Sequence, residues 1–182
     1  MDAHVLVPLK RIDPKSRLAG ALPLAERVRL MRGLLAGVVG AVRDAGVERV
    51  TVVTGLSLKG YEVWHDRGLA WNDALATAIE EVVTAPLAAI VSADLPSLRA
   101  EEVEELIRAT PARGIAIARA LDGGTNAVSM RPPGIVRTHF GELGSAAVHA
   151  GLGVDHVILD LPGLAFDVDT PEDLARMRAV CL

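Results

Sequence analysis

The chain has 182 residues, 51% of them apolar but only 3% aromatic, and a formal net charge of −4. That length suits one domain with a substantial core, and a core of Val, Leu, Ile and Ala favours helices packed on a sheet over a β-sandwich. The acidic balance excludes a broad nucleic-acid surface, no apolar run reaches the roughly 18 residues of a membrane span, and the lone Cys181 excludes an internal disulfide or a cysteine metal cluster. The opening Met1–Val5 lacks a basic stretch leading into a long apolar segment. A single cytoplasmic domain spanning residues 1–182, with no nucleic-acid or membrane partner, is expected.

In chain order, Val5–Leu9 reads as a buried strand whose pairing ends near Pro8. The loop after it gathers Lys10, Arg11, Lys15 and Arg17. From Ala25 to Asp44, Val28, Met31, Leu35, Val38 and Val42 recur at helical spacing and Gly46 closes the segment. Arg49–Thr54 is a β-branched run, and the β-α-β order predicts a parallel pair with a right-handed crossover. Ser57–Gly68 has no sustained periodicity and reads as a loop with at most one short strand. Asn72 or Asp73 can cap a helix running to Val83. Leu87–Val91 is a buried strand leading into Ser92-Ala93-Asp94-Leu95-Pro96 and a helix over 100–109. Gly114–Ala118 and Ala127–Met130 read as strands flanking the turn Asp122-Gly123-Gly124-Thr125-Asn126. A helix from Ser145 to Ala150, a strand over 157–159 and a terminal helix over 171–180 complete the chain.

The segment Phe166-Asp167-Val168-Asp169-Thr170-Pro171 carries the sharpest chemical signal. At a strand end, residues i and i+2 share a face, so Asp167 and Asp169 can aim at one ion while Val168 enters the core. Hard cations take such oxygens. The alternative is a helix start, with Asp169 or Thr170 as N-cap and Pro171 at the first helical position. The basic loop can likewise be a solvated face or a phosphate contact, and Gly123–Asn126 a plain turn or an anion cradle. No phosphate loop ending in Gly-Lys-Ser/Thr, no Gly-x-Gly-x-x-Gly, no Gly-x-Ser-x-Gly and no His-Glu-x-x-His is present. The five histidines are scattered, and each alone reads as structural or exposed. A basic loop, glycine turns and aspartates at strand ends together suggest phosphate chemistry.

Val7-Pro8-Leu9-Lys10, Lys15-Ser16-Arg17-Leu18, Ala93-Asp94-Leu95-Pro96, Gly123-Gly124-Thr125-Asn126, Phe140-Gly141 with Ser145, and Asp167–Leu174 occur in that order. This ordered set resembles the guanylyltransferases that make the deazaflavin coenzyme F-420, over almost the whole chain. The resemblance implies a single-domain, nucleotidyltransferase-like (Rossmann-like) α/β three-layer sandwich with a mixed, mostly parallel sheet. It implies transfer of GMP from GTP to the phosphate of phosphoenolpyruvate or 2-phospho-L-lactate, with release of pyrophosphate. It further implies Mg²⁺ on Asp94, Asp167 and Asp169, and the acceptor phosphate against Thr125, Gly141 and Ser145. Lys10, Lys15 and Arg17 would act on the nucleotide phosphates as binding and catalytic groups, with Asn72 on the nucleotide side. The Gly141–Ser145 turn is one residue longer than the family's, leaving Gly141 and Gly144 as alternative N–H donors, and the 55–71 region is shortened where guanine contacts would lie. A cytidylyl- or sugar-phosphate-type nucleotidyltransferase and a non-catalytic nucleotide-binding module are the alternatives on the same fold. A homodimer and hand-over of product to the next enzyme of the pathway are partner arrangements that the sequence allows and does not specify.

Overall fold

The computed structural model describes residues 1–10 and 15–180. Arg11 and Cys181 lie outside the described residues. Seven strands form one sheet: β1 (His4–Pro8), β2 (Arg49–Val53), β3 (Glu62–Trp64), β4 (Ala88–Val91), β5 (Gly114–Arg119), β6 (Thr125–Arg131) and β7 (Asp155–Leu159), in the order β3-β2-β1-β4-β6-β5-β7. β1 is parallel to β2 and β4, β2 to β3, and β5 to β7, whereas β6 runs antiparallel to both β4 and β5. The sheet is therefore mixed and mostly parallel, as the sequence resemblance implies.

Side-chain alternation along the strands divides the core into two layers. On one face Val5, Val7, Val50, Val52, Ala89 and Val91 meet α1 (Leu24–Asp44) and α3 (Ala100–Ala109) through Leu35, Val38, Val103 and Leu106. On the other, Leu6, Ile90, Ile115, Ile117, Val128 and Met130 meet α2 (Trp71–Val82) and α4 (Ser145–Ala150) through Leu75, Ile79 and Ala146. Each such buried aliphatic side chain contributes about 1.5–3 kcal/mol relative to leaving it in water. Because both faces are covered, the central strands read as unbroken apolar runs.

Of two short elements, one is allowed by the sequence pattern and one escapes it. β3 is the short strand allowed within 57–68, but α5 (Pro162–Ala165) has no periodic signal. α5 is fixed instead by a close approach: buried Glu102 accepts the Gly163 N–H at 2.7 Å, and a Cβ at Gly163 would run into Glu102 and the Ser97 carbonyl. That contact fixes the chain four residues before Asp167. A third cluster of Leu18, Leu22, Leu34, Val168 and Leu174 then joins the turn at 16–18, α1 and α6 (Pro171–Val180). It holds the turn at 16–18 against the acidic segment. Among the described residues no helix is long and apolar enough to cross a membrane.

Candidate active site

The C-terminal ends of β1 and β4 lie beside the N-terminal end of β6, because β6 runs against β4 with Val91 opposite Ala127. A cleft of about 630 Å³ opens there. Open α/β sheets bind ligands at such carboxyl ends. Here the reversed β6 also brings the residues at its start, Thr125 and Asn126, to that edge. The 125–126 pair, read from sequence as part of a turn, belongs to the strand itself. The Ser92 N–H donates to the Asn126 carbonyl at 2.8 Å, which carries the ladder to within two residues of Asp94.

Asp167 and Asp169 do not sit at a strand end. Their segment lies outside the sheet, tied to it where the Val168 N–H donates to the Asp94 carbonyl at 3.2 Å. The i, i+2 alternation survives without the ladder, because Val168 is fully buried and turns both carboxylates to the cleft. Thr170, not Asp169, closes the helix start. The Thr170 hydroxyl accepts the Asp173 N–H at 3.2 Å, and the Asp173 carboxylate accepts the Thr170 N–H at 2.8 Å, a reciprocal capping box. These bonds hold Asp173 below the usual carboxylate range although burial works the other way. The cap leaves Asp169 free to face the cleft.

One carboxylate oxygen from each of Asp94, Asp167 and Asp169 lies within 4.8 Å of the others. Three hard oxygens at that spacing fit a divalent cation that favours carboxylate and water ligands. Lys15 enters the same group, with its Nζ 2.6 Å from Asp94 Oδ2 and 3.0 Å from Asp169 Oδ1. Burial works against its charge, yet the two carboxylates outweigh burial and hold its pKa above the ordinary lysine value. Arg17 reaches the outer oxygen of Asp169 at 3.1 Å from an exposed position. Among the described residues no cation is in such contact with Asp167. Burial first, and then the charge of Asp94, push its carboxyl up to about 6, against the Asn126 amide that donates to it at 3.2 Å.

Thr125, Gly141, Gly144 and Ser145 line the same cleft. Gly141 and Gly144 both have left-handed backbones, with φ of 80° and 66°, which a side chain would strain. Both glycines therefore line the turn, and the choice between them stays open. The Ser145 hydroxyl donates to Thr125 Oγ1 at 3.0 Å. Lys10 lines the cleft from the end of β1 with an exposed side chain. Asn72 stands behind the wall: its amide donates to the Phe140 carbonyl at 3.1 Å, and its oxygen accepts from the Thr138 hydroxyl and the Phe140 N–H. Its neighbour Trp71 is the one that lines the cleft.

Three residues of the site were not singled out from sequence. Asn126 lay in view inside the Gly-Gly-Thr-Asn block, but its bond to Asp167 spans 41 residues. Trp71 was masked by the capping signal beside it. His149 was set aside as a lone histidine, although it stands four residues after Ser145 and so on the same helix face.

The fold is that of the nucleotidyltransferases. A nucleotidyl transferase from Methanothermobacter thermautotroptrophicus aligns with a TM-score of 0.69 at 16% identity, over 98% of this chain and 96% of that one. The 2-C-methyl-D-erythritol 4-phosphate cytidylyltransferase of Thermus thermophilus aligns at 0.66 with 19% identity, over 100% and 99%. Within that class the chain belongs to the guanylyl transferase CofC like family, whose model matches residues 3–178. It is 36% identical to a phosphoenolpyruvate guanylyltransferase from Sphaerobacter thermophilus, over 97% of this chain and 93% of that protein. It is 35% identical to a 2-phospho-L-lactate guanylyltransferase from Haloarcula marismortui, over 96% and 84%.

Proposed function

We propose that this chain transfers GMP from GTP to the phosphate of phosphoenolpyruvate or 2-phospho-L-lactate and releases pyrophosphate, as the names of its relatives describe for them. The observation that carries this reading is one cleft lined by two unlike sets of residues. Lys15, Arg17 and three aspartates line it together with Thr125, Ser145 and the Gly141–Gly144 turn. The first set suits a triphosphate with its cation, the second a phosphate monoester. The cytidylyltransferase likeness rests on fold alone, whereas the guanylyltransferase likeness extends along the sequence.

In this reading an acceptor phosphate oxygen attacks the α-phosphorus of GTP in line. The new P–O bond forms as the bond from the α-phosphorus to the bridging oxygen breaks, and the electron pair leaves with pyrophosphate. The acceptor is already ionised near neutral pH, so no protein nucleophile is needed and catalysis is mostly the positioning of two anions that repel. Asp94, Asp167 and Asp169 would hold Mg²⁺, which supplies charge neutralisation for the phosphates. Lys10, Lys15 and Arg17 bind the triphosphate, with Lys15 placed to exchange a carboxylate partner for a phosphate oxygen. Thr125, Ser145 and an N–H of Gly141 or Gly144 hold the acceptor phosphate. Asn72 acts through the 138–140 loop by keeping the wall beside Trp71 in place.

Mass spectrometry of products formed from GTP and Mg²⁺ with each acceptor in turn tests the proposal. A product of acceptor plus GMP is expected with one of the two acids. Turnover with CTP and not GTP, or nucleotide binding with no product across the acceptor panel, would overturn it.

A further inference from the structure

His149 is fully buried on α4, yet both of its ring nitrogens are engaged at the acceptor wall. Its Nε2 accepts the backbone N–H of His139 at 3.0 Å. A backbone N–H can only donate, so Nε2 carries no proton and a neutral ring must carry it on Nδ1. Nδ1 lies 3.1 Å from Thr125 Oγ1, which in turn lies 3.0 Å from Ser145 Oγ. Its surroundings act in the same direction: burial lowers its pKa, against the Ser145 carbonyl, and the nearby His139 adds to the lowering, against Glu142.

Counting protons shows what this tautomer does. The two hydroxyls own one proton each. One is spent in the bond between Thr125 and Ser145, whichever way that bond runs. If Nδ1 were an acceptor, the other would be spent on His149, and the pair would face the cleft with lone pairs only. Because Nδ1 donates, that second proton stays unspent and is available to the cleft that both residues line. A phosphate oxygen accepts and does not donate, so this is the polarity that a phosphate needs.

We infer that His149 is a positioning residue for the acceptor: by donating from Nδ1 to Thr125, it commits the Thr125–Ser145 pair to donating a hydroxyl proton to the acceptor's phosphate. This rests on the reading of Thr125 and Ser145 as the acceptor-phosphate wall. His149 itself touches neither substrate, and its effect is confined to the acceptor side. The nucleotide wall is built from other elements, so the KM for GTP is expected to hold while the KM for the acceptor moves.

The geometry selects the variants. His149→Gln places an acceptor near the Nε2 position for the His139 N–H but nothing at Nδ1, whereas His149→Asn restores an amide at the Nδ1 position. Steady-state assays with GTP and phosphoenolpyruvate or 2-phospho-L-lactate are expected to show the acceptor KM raised about tenfold in His149→Gln, the loss typical of a hydrogen bond to a charged group. His149→Asn should return most of that loss. Thr125→Val tests the underlying reading by itself. If Thr125→Val raises the acceptor KM and His149→Gln leaves it at the wild-type value, the inference about His149 fails alone. If Thr125→Val also leaves it unchanged, the acceptor-wall reading fails first. The tautomer is read independently in the intact wild-type chain by a ring ¹⁵N–¹H correlation spectrum. A proton on Nδ1 is expected, and a proton on Nε2 overturns the inference whatever the variants do.

Discussion

Lys15 places its ammonium 2.6 Å from Asp94 Oδ2, with only 8% of the lysine side chain exposed. A cation of the protein's own thus lies among the carboxylates that are proposed to hold Mg²⁺. Lys15 reaches them from a left-handed backbone, φ 53°, that few non-glycine residues adopt. Strain of that kind persists where neighbouring structure enforces it. Here the buried Leu18 and Val168 pin the loop three residues further on.

Replacing that ammonium is therefore expected to expose the repulsion that it masks. Lys15→Met should destabilise the metal-free chain by about 2 kcal/mol, less than for a fully buried pair because Asp169 is 40% exposed. Mg²⁺ should recover more thermal stability in the variant than in the wild type. Differential scanning fluorimetry with and without Mg²⁺ checks this, and equal recovery in both would count against a shared cation position.

Asp167 gives the metal-free chain a pH signature. Its folded pKa of about 6 stands above the ordinary carboxylate value of 3.8, so between those values the folded chain binds more protons than the unfolded one. Stability contributed by this group is full below pH 3.8 and is lost as the pH rises through 6. Asp167→Asn keeps an oxygen for the Asn126 amide and removes the loss. Melting temperatures of the two metal-free proteins should diverge from pH 4 to 7, with the variant the more stable at neutral pH. A constant difference across that range would contradict the assignment.

Asn126 orients Asp167 without facing a substrate in the proposed scheme. Groups that orient metal ligands typically contribute about 10–100-fold to metal affinity or activity. Asn126→Ala should raise the Mg²⁺ concentration needed for half-maximal rate by about tenfold, with most of kcat returning at saturation. A Mg²⁺ titration of initial rate reads both quantities.

The Thr170–Asp173 box is a stability element that also frees Asp169. Thr170→Ala should cost about 1 kcal/mol, or about 2–4 °C in Tm for a chain of this size. Thr170→Ser should retain most of it. Thermal melts separate the two variants.

What could be read from the sequence follows from how far apart the interacting residues stand. β1, β2 and β4 are apolar runs covered on both faces, and helices α1 and α3 repeat at 3.6 residues, so local pattern sufficed. The three aspartates were legible because each sits in one of the ordered blocks, Asp94 after a buried strand and Asp167 and Asp169 either side of the buried Val168. By contrast, α5 depends on Gly163 meeting Glu102, 61 residues away, and no local signal encodes that contact. The start of β6 was hidden because Thr125 and Asn126 follow two glycines and read as a turn, while Thr125 pairs with Arg119 of β5 and the Asn126 carbonyl accepts from Ser92, just past β4. Asn72 reads as a cleft residue only until the chain folds, when the Phe140 backbone 68 residues away takes both ends of its amide.

The most direct test of the account is the rate of pyrophosphate release from GTP by Asp94→Asn at saturating Mg²⁺ and acceptor, compared with the wild type. Loss of one of three carboxylates from the cation site should lower that rate by about a hundredfold or more while the chain stays folded. An unchanged rate would contradict the three-aspartate site.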